Sequence, residues 1–338
     1  MKIERLLNAL TYMLMVIGAV MLIMLSSCIK KEPLWKLPPP GNETIDDVEM
    51  GETYKTTVFY QFSTKTKTLR NIDTWHLAFE SAAQGWHVKL NGGRNVQVYN
   101  TGSTAFNQTF SVPASSDWLF DWPSGNLDST AMGMWLSNPA ARQSKMEVYV
   151  IDLGTSTQPE YEKFQLQNVT DTTYTILYAN LDNTSQQQIT FVKSATATYT
   201  YFDFVSGKTI DYEPVANSYD VVFTQYKHVF IDTPSGVTPY IVTGVLLNPV
   251  NTTAARIYGK GFEQTTYDSV SNIPLSTTAN TIGYDWKVYN FNLNKYTIDT
   301  TNLFLVKDIA GSLWLLQFID FYDAQGVKGD PKFRFKRL

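Results

Sequence analysis

The chain has 338 residues, a formal net charge of -4 and 43% hydrophobic residues. That charge gives no electrostatic reason to expect nucleic acid as a partner, and the length can bury a core without disulfide staples. Aromatic residues make up 14%, led by 20 Tyr and 19 Phe, a weighting that suits pleated sheet and sets a β-rich globule as the expectation.

The amino terminus reads as a targeting segment. Lys2 and Arg5 precede an unbroken apolar run over 12–25, too short for a comfortable stop-transfer helix, so residues 1–27 are expected to be a signal peptide. Leu25-Ser26-Ser27-Cys28 looks like the lipobox of bacterial lipoproteins, which makes Cys28, the one cysteine of the chain, the expected site of lipidation. An ordinary secretory signal that happens to contain a cysteine is the alternative. Residues 28–50 are polar, carry Pro38, Pro39 and Pro40, and read as a flexible tether between the lipid and the folded part.

Beyond the tether the chain repeats itself. "VFYQF" (58–62) and "WHLAF" (75–79) match "TYFDF" (200–204) and "YDVVF" (219–223). "HVKLNGG" (87–93) then matches "GVLLNPV" (244–250), "AFNQTF" (105–110) matches "GFEQTT" (261–266), and "TAMGMW" (130–135) matches "TIGYDW" (281–286). Last, "VYVIDLG" with "YEKFQLQ" (148–154, 161–167) corresponds to "LFLVKDIAG" with "LWLLQF" (303–311, 313–318). The blocks come in the same order both times, which points to an internal duplication. Each alternates apolar and polar residues, and turn-forming clusters of Gly, Asn, Asp, Ser and Pro separate them. The expected fold is all-β: two duplicated antiparallel halves, 51–190 and 191–338, forming a sandwich or an open-barrel-like shape, joined through a shared sheet or packed face to face, with 184–188 as the seam. The loop "PASSDWLFDWPSGN" (113–126) reads as an aromatic core plug first and a contact surface second.

Catalytic patterns are scarce. There is no H-E-x-x-H, G-x-S-x-G, P-loop or dinucleotide glycine run, and His76, His87 and His228 lack the spacing of a zinc site. Asp46-Asp47 and Asp203 do not nominate a glycosidase pair. An enzyme is therefore not expected. Alternation along "GWHVKL" puts Trp86, Val88 and Leu90 on one face and His87 with Lys89 on the other, so His87 is accessible or cleft-facing. His228 shares a face with Tyr226 and Phe230. His76 stands where the second half has Asp220, and a strand-end hydrogen bond to the backbone is its expected duty.

The aromatic-Asp-x-x-Phe pattern after a short strand, the "NGG" turn, and above all the ending 313–338 resemble the HmuY-like haem-binding lipoproteins of Bacteroidetes, in a long, internally duplicated form. Phe318, Phe321, Asp323, Gly326, Gly329, Pro331 and Phe333 keep the frame of that ending. The resemblance implies an all-β fold, a lipid anchor on the outer membrane facing the surface, and cooperation with a TonB-dependent receptor in the uptake of haem or a related tetrapyrrole. Haem would ask for axial donors, and those on offer are His87, Met134, Met132 and His228; no other metal is expected. Trp86, Trp118, Phe120 and Trp122 are the expected ligand or partner contacts. The alternative is a structural or accessory subunit that docks on an outer-membrane protein complex without haem. Polysaccharide binding through the same tryptophans is a third reading.

Overall fold

The computed structural model describes residues 41–154, 160–233 and 236–338, which all fall within one compact unit, Pro40–Leu338. The signal segment 1–27, Cys28 and the tether as far as residue 40 lie outside the described residues. The first copy supplies β1 (Thr44–Asp47), β2 (Thr56–Gln61), β3 (Thr66–Asn71), β4 (Leu77–Glu80), β5 (Val88–Leu90), β6 (Gln97–Asn100), β7 (Leu136–Asn138), β8 (Gln143–Ser144), β9 (Val148–Asp152), β10 (Tyr161–Val169) and β11 (Thr173–Ala179). The second repeats the series as β12 (Gln187–Val192), β13 (Tyr199–Asp203), β14 (Lys208–Ile210), β15 (Val221–Thr233), β16 (Gly236–Leu247), β17 (Thr253–Ile257), β18 (Lys287–Asn290), β19 (Lys295–Ile298), β20 (Leu303–Lys307), β21 (Leu313–Tyr322) and β22 (Lys328–Arg337). Among the described residues the one α-helix is a single turn, Tyr267–Val270.

These strands build two sandwiches, and the copies exchange their first three strands to do so. In the first sandwich a sheet ordered β14-β13-β4-β5 covers a sheet ordered β12-β11-β10-β9-β6. In the second, β16-β15-β2-β3 covers β1-β22-β21-β20-β17. Strands β1 to β3 of the first copy thus complete the second sandwich, and β12 to β14 of the second copy complete the first. The expected all-β fold of two antiparallel halves is found as sandwiches, with no closed barrel among the described residues.

Two expectations are corrected here. The tether does not run to residue 50: Thr44–Asp47 pair with Phe335–Lys332 of β22, and Val48 and Met50 are buried in the second core. The residues 184–188 fall between the two series of strands, but they do not separate the two folded bodies. They close the hairpin between β11 and β12, whose pairing carries the chain straight into the first sandwich's sheet.

The four-stranded sheets carry apolar side chains on both faces. In β2, Val58 and Tyr60 enter the second core while Phe59 faces out; in β13, Phe202 enters the first core while Tyr199 and Tyr201 face out. The outward faces meet, closing a third cluster around Phe59, Ala78, Tyr199, Tyr201, Tyr212 and Tyr219. Each ring so buried removes apolar area from water worth about 1.5–3 kcal/mol before entropy is charged against it.

The duplication extends to single side chains. Trp135 and Trp286, which end the matched "TAMGMW" and "TIGYDW" blocks, are buried anchors of the first and second core. Asn91 Nδ2 donates to the carbonyls of Ile72 (2.7 Å) and Trp75 (3.0 Å), and its counterpart Asn248 donates to those of Ala216 and Tyr219, both at 2.7 Å.

Candidate functional site

Where the two four-stranded sheets face one another they leave a cavity of about 400 Å³. Register places two matching rows of side chains along it. Across the first sandwich's sheet the row is Lys89–Ala78–Tyr201; across the second's it is Leu246–Val222–Phe59. These rows are equivalent under the duplication, so the cavity sits at the join between copies and its two sides have diverged. One row ends in an ammonium and a phenol, the other in an isobutyl group and a phenyl ring.

The polar groups around the cavity are largely spent on one another. The Glu213 carboxylate accepts from the Tyr199 amide (3.0 Å) and from the hydroxyls of Tyr219 (2.7 Å) and Tyr201 (3.4 Å). Tyr212 donates its hydroxyl to Thr57 at 2.7 Å, and Thr57 and Thr224 hydroxyls lie 2.9 Å apart. Asp121, from the aromatic loop, accepts the amides of Leu90 (2.7 Å) and Ala131 (2.8 Å); burial pushes its carboxyl up to about 6 in spite of them. Lys227 is buried, donates to Gln97 Oε1 at 3.1 Å, and is pushed down to about 8 by that burial, Asp152 and Asp121 opposing.

Lys89 differs from these. Its ammonium hydrogen-bonds Tyr199 and sits 5.0 Å from the centre of that ring, and among the described residues it makes no ion pair with a carboxylate. Its pKa is raised, by Tyr199 above all, with Asp121 and Glu213 adding to it against the cost of burial, so it is a cation at neutral pH. Burial drives the phenols the other way: Tyr201 and Tyr219 lie well above the usual tyrosine value and Tyr212 is pushed up to about 12.

The expected axial donors do not converge on this cavity. Met132 is buried in the first core, and Met134 is exposed on the surface. The half-buried His87 ring stacks on Trp86 and meets Glu80 Oε2 through Nδ1 at 2.6 Å. Burial pushes the Glu80 carboxyl up, but the hydrogen bonds from the His87 ring and amide outweigh it and hold the group below its usual range. His228 is wedged against Phe230 and Tyr284 at 4.8 and 4.7 Å, and burial lowers its pKa. None of these four lines the cavity. The segments carrying His87 and Met134 do lie side by side, since Trp135 Nε1 donates to the Trp86 carbonyl at 2.8 Å.

The rings of the aromatic loop are half-buried at most. Trp118 stacks on Tyr161 at 6.0 Å, Phe120 lies under the Lys227 ammonium at 5.3 Å, and Trp122, though 43% exposed, lines the cavity. Trp86 packs against the first core. Among the described residues no group of three or more His, Cys, Asp or Glu could hold a metal ion.

Sequence reasoning missed Lys89, Asp121, Lys227, Glu213 and the tyrosines. One signal could have found them: "TYTYFDF" carries rings on both faces of a strand, and a strand with two apolar faces is covered on both sides. The cavity has a mainly apolar, ring-rich lining with the Lys89 ammonium along it. It fits axial ligation of iron poorly, because no His, Met or Cys lines it and burial disfavours the phenolate form of Tyr201 and Tyr219.

A family model described as HmuY protein matches residues 53–193 and again 195–335. No curated protein matches the chain in sequence. Similar solved structures include apo PinO from Porphyromonas gingivitis, with 11% identity over 88% of this chain and 97% of that one and a TM-score of 0.26. A Bacteroides vulgatus protein assigned as an HmuY-like haem binder has 10% identity, covers 89% and 94% and scores 0.26; the apo HmuY analog of Tannerella forsythia has 10%, 89% and 99%, and 0.25. Those scores are too low to carry an argument.

Proposed function

The chain belongs to the HmuY family, twice over in one polypeptide, and on that premise we propose that it is a binding protein that carries haem or a related tetrapyrrole without transforming it. The observation that carries this reading is the ring-lined cavity at the join of the two copies: a concave, mostly apolar site with a few fixed polar groups is what a flat cargo needs. In this reading Cys28 bears the lipid, the signal 1–27 is removed, and the protein rides on the outer membrane, surface-exposed, passing its cargo to a TonB-dependent receptor. The experiment is an absorbance titration of residues 40–338 with haemin. A shifted Soret band that saturates at one equivalent is the expected result, and an unchanged spectrum at micromolar haemin rejects the carrier.

One observation favours the alternative of an accessory subunit that docks on an outer-membrane complex. Past Phe223, β15 pairs among the described residues with β16 alone, so the two run on as a ribbon, and Ile231 and Tyr240 on it are 62% and 64% exposed. Co-purification with a membrane complex that is lost on shortening this ribbon, with no stoichiometric pigment, would decide for it.

A further inference from the structure

We propose that the cavity grips its cargo by a carboxylate, on the Lys89 ammonium, and is blind to whether the ring carries a metal; this rests on the carrier reading above.

Two observations support this. The first is the broken symmetry of the cavity. Duplication placed residue 89 and residue 246 at equivalent ends of equivalent rows, and only the first is charged. A ligand with one anionic edge and one apolar edge matches that difference; a symmetric apolar ligand would cover the cation without meeting its charge. The second is hydrogen-bond accounting. Glu213 is occupied by three donors and Asp121 by two amides, whereas Lys89 has Tyr199 as its hydrogen-bonding and ring partner, feels Asp121 and Glu213 without an ion pair to either among the described residues, and keeps donors to spare. An ammonium in such surroundings is a receptor for an anion, and a hydrogen bond between two charged partners is stronger there than in water. With no His, Met or Cys on the walls, the ring is held by contact with Phe59, Val222 and Leu246 and not through its centre.

The test uses residues 40–338, which contain every strand and core described. Quenching of tryptophan fluorescence is followed on adding haemin, metal-free protoporphyrin IX, and the dimethyl ester of the latter. Haemin and protoporphyrin IX are expected to bind with dissociation constants within about threefold of each other. Lys89→Met and Lys89→Gln should weaken both by about 10- to 100-fold, the loss of one charge-assisted hydrogen bond, while Lys89→Arg holds within about threefold. The dimethyl ester should bind weakly and ignore the Lys89→Met change, and His87→Ala should leave all three titrations as they were. Thermal melts establish that each variant is folded, and the paired Met and Gln variants guard against one that is not. If haemin binds and protoporphyrin IX does not, or if both neutral variants bind as the parent does, the inference falls and the carrier reading stands. If neither pigment binds at micromolar concentration, both fall.

Discussion

At the end of β13 the Phe204 amide lies 3.2 Å from His76 Nδ1, and at the end of β2 the Phe62 amide donates to Asp220 at 2.7 Å. Phe204 and Phe62 are matched residues, so an imidazole in one copy and a carboxylate in the other tie down the same strand end. The same Nδ1 lies 2.9 Å from Asp203, and burial above all keeps the His76 ring neutral against that carboxylate. Asp220 also accepts the Ile309 amide, yet burial pushes its carboxyl up to about 6. Its folded value thus lies above the unfolded one of about 3.9, so its stabilising contribution is complete below about pH 4 and is lost as pH rises through 6, by about 2–3 kcal/mol in all. Urea unfolding of the parent and of Asp220→Asn should show the parent's advantage shrinking by that amount between pH 4 and 7. A constant difference would mean that Asp220 titrates normally. At this scale the duty of His76 was legible in the sequence, because its partner position in the other copy holds a residue with the same hydrogen-bonding reach. The importance of Lys89 was not, since a polar residue on the outer face of a strand reads alike whether water or another sheet lies beyond it.

Among the elements, the turn after β5 shows how closely the two sandwiches approach. Gly93 lies against β15 so tightly that a Cβ would run into the Gln225 carbonyl and the Ile72 side chain. Gly93→Ala is expected to cost about 1–3 kcal/mol in urea unfolding, the range for overpacking a closed interface, and a neutral change would mean that the interface yields. The strands themselves were readable from alternation, and the duplicated blocks fell on equivalent strands except for 105–110 with 261–266 and 130–135 with 281–286, which fell on equivalent loops. Two errors have a common cause. "TIDD" at 44–47 is polar because it is an edge strand with little of its surface in the core, and "TSQQQ" at 184–188 has turn composition because it runs out of a hairpin turn into β12. Composition tells a turn from a strand but not a hairpin from a linker. Pairing partners 290 residues away leave no local trace.

For the whole molecule, the boundaries of the family matches and of the folded units disagree by two strands each way, β2–β3 and β13–β14. The family match 53–193 leaves β2–β3 without β15 and β4 without β13, whereas a cut at 75–213 keeps every strand of the first sandwich. Produced alone, 75–213 should unfold cooperatively and at a higher urea midpoint than 53–193. The reverse order would show that the arm of the first copy folds back onto its own body at no cost. Long-range exchange of this kind also predicts slow folding, because β1 must wait for β22, the last strand of the chain.

The edge where β1 meets β22 brings the Gly41 amide within 2.9 Å of the Arg337 carbonyl. Head and tail of the folded unit are therefore neighbours, and a short peptide could splice 338 to 41 while the backbone is reopened near 214–217. Such a circularly permuted molecule would hold each sandwich as an unbroken run of sequence, with no interlacing left, and would ask whether threading the copies through one another serves the cavity between them or is only a relic of the duplication.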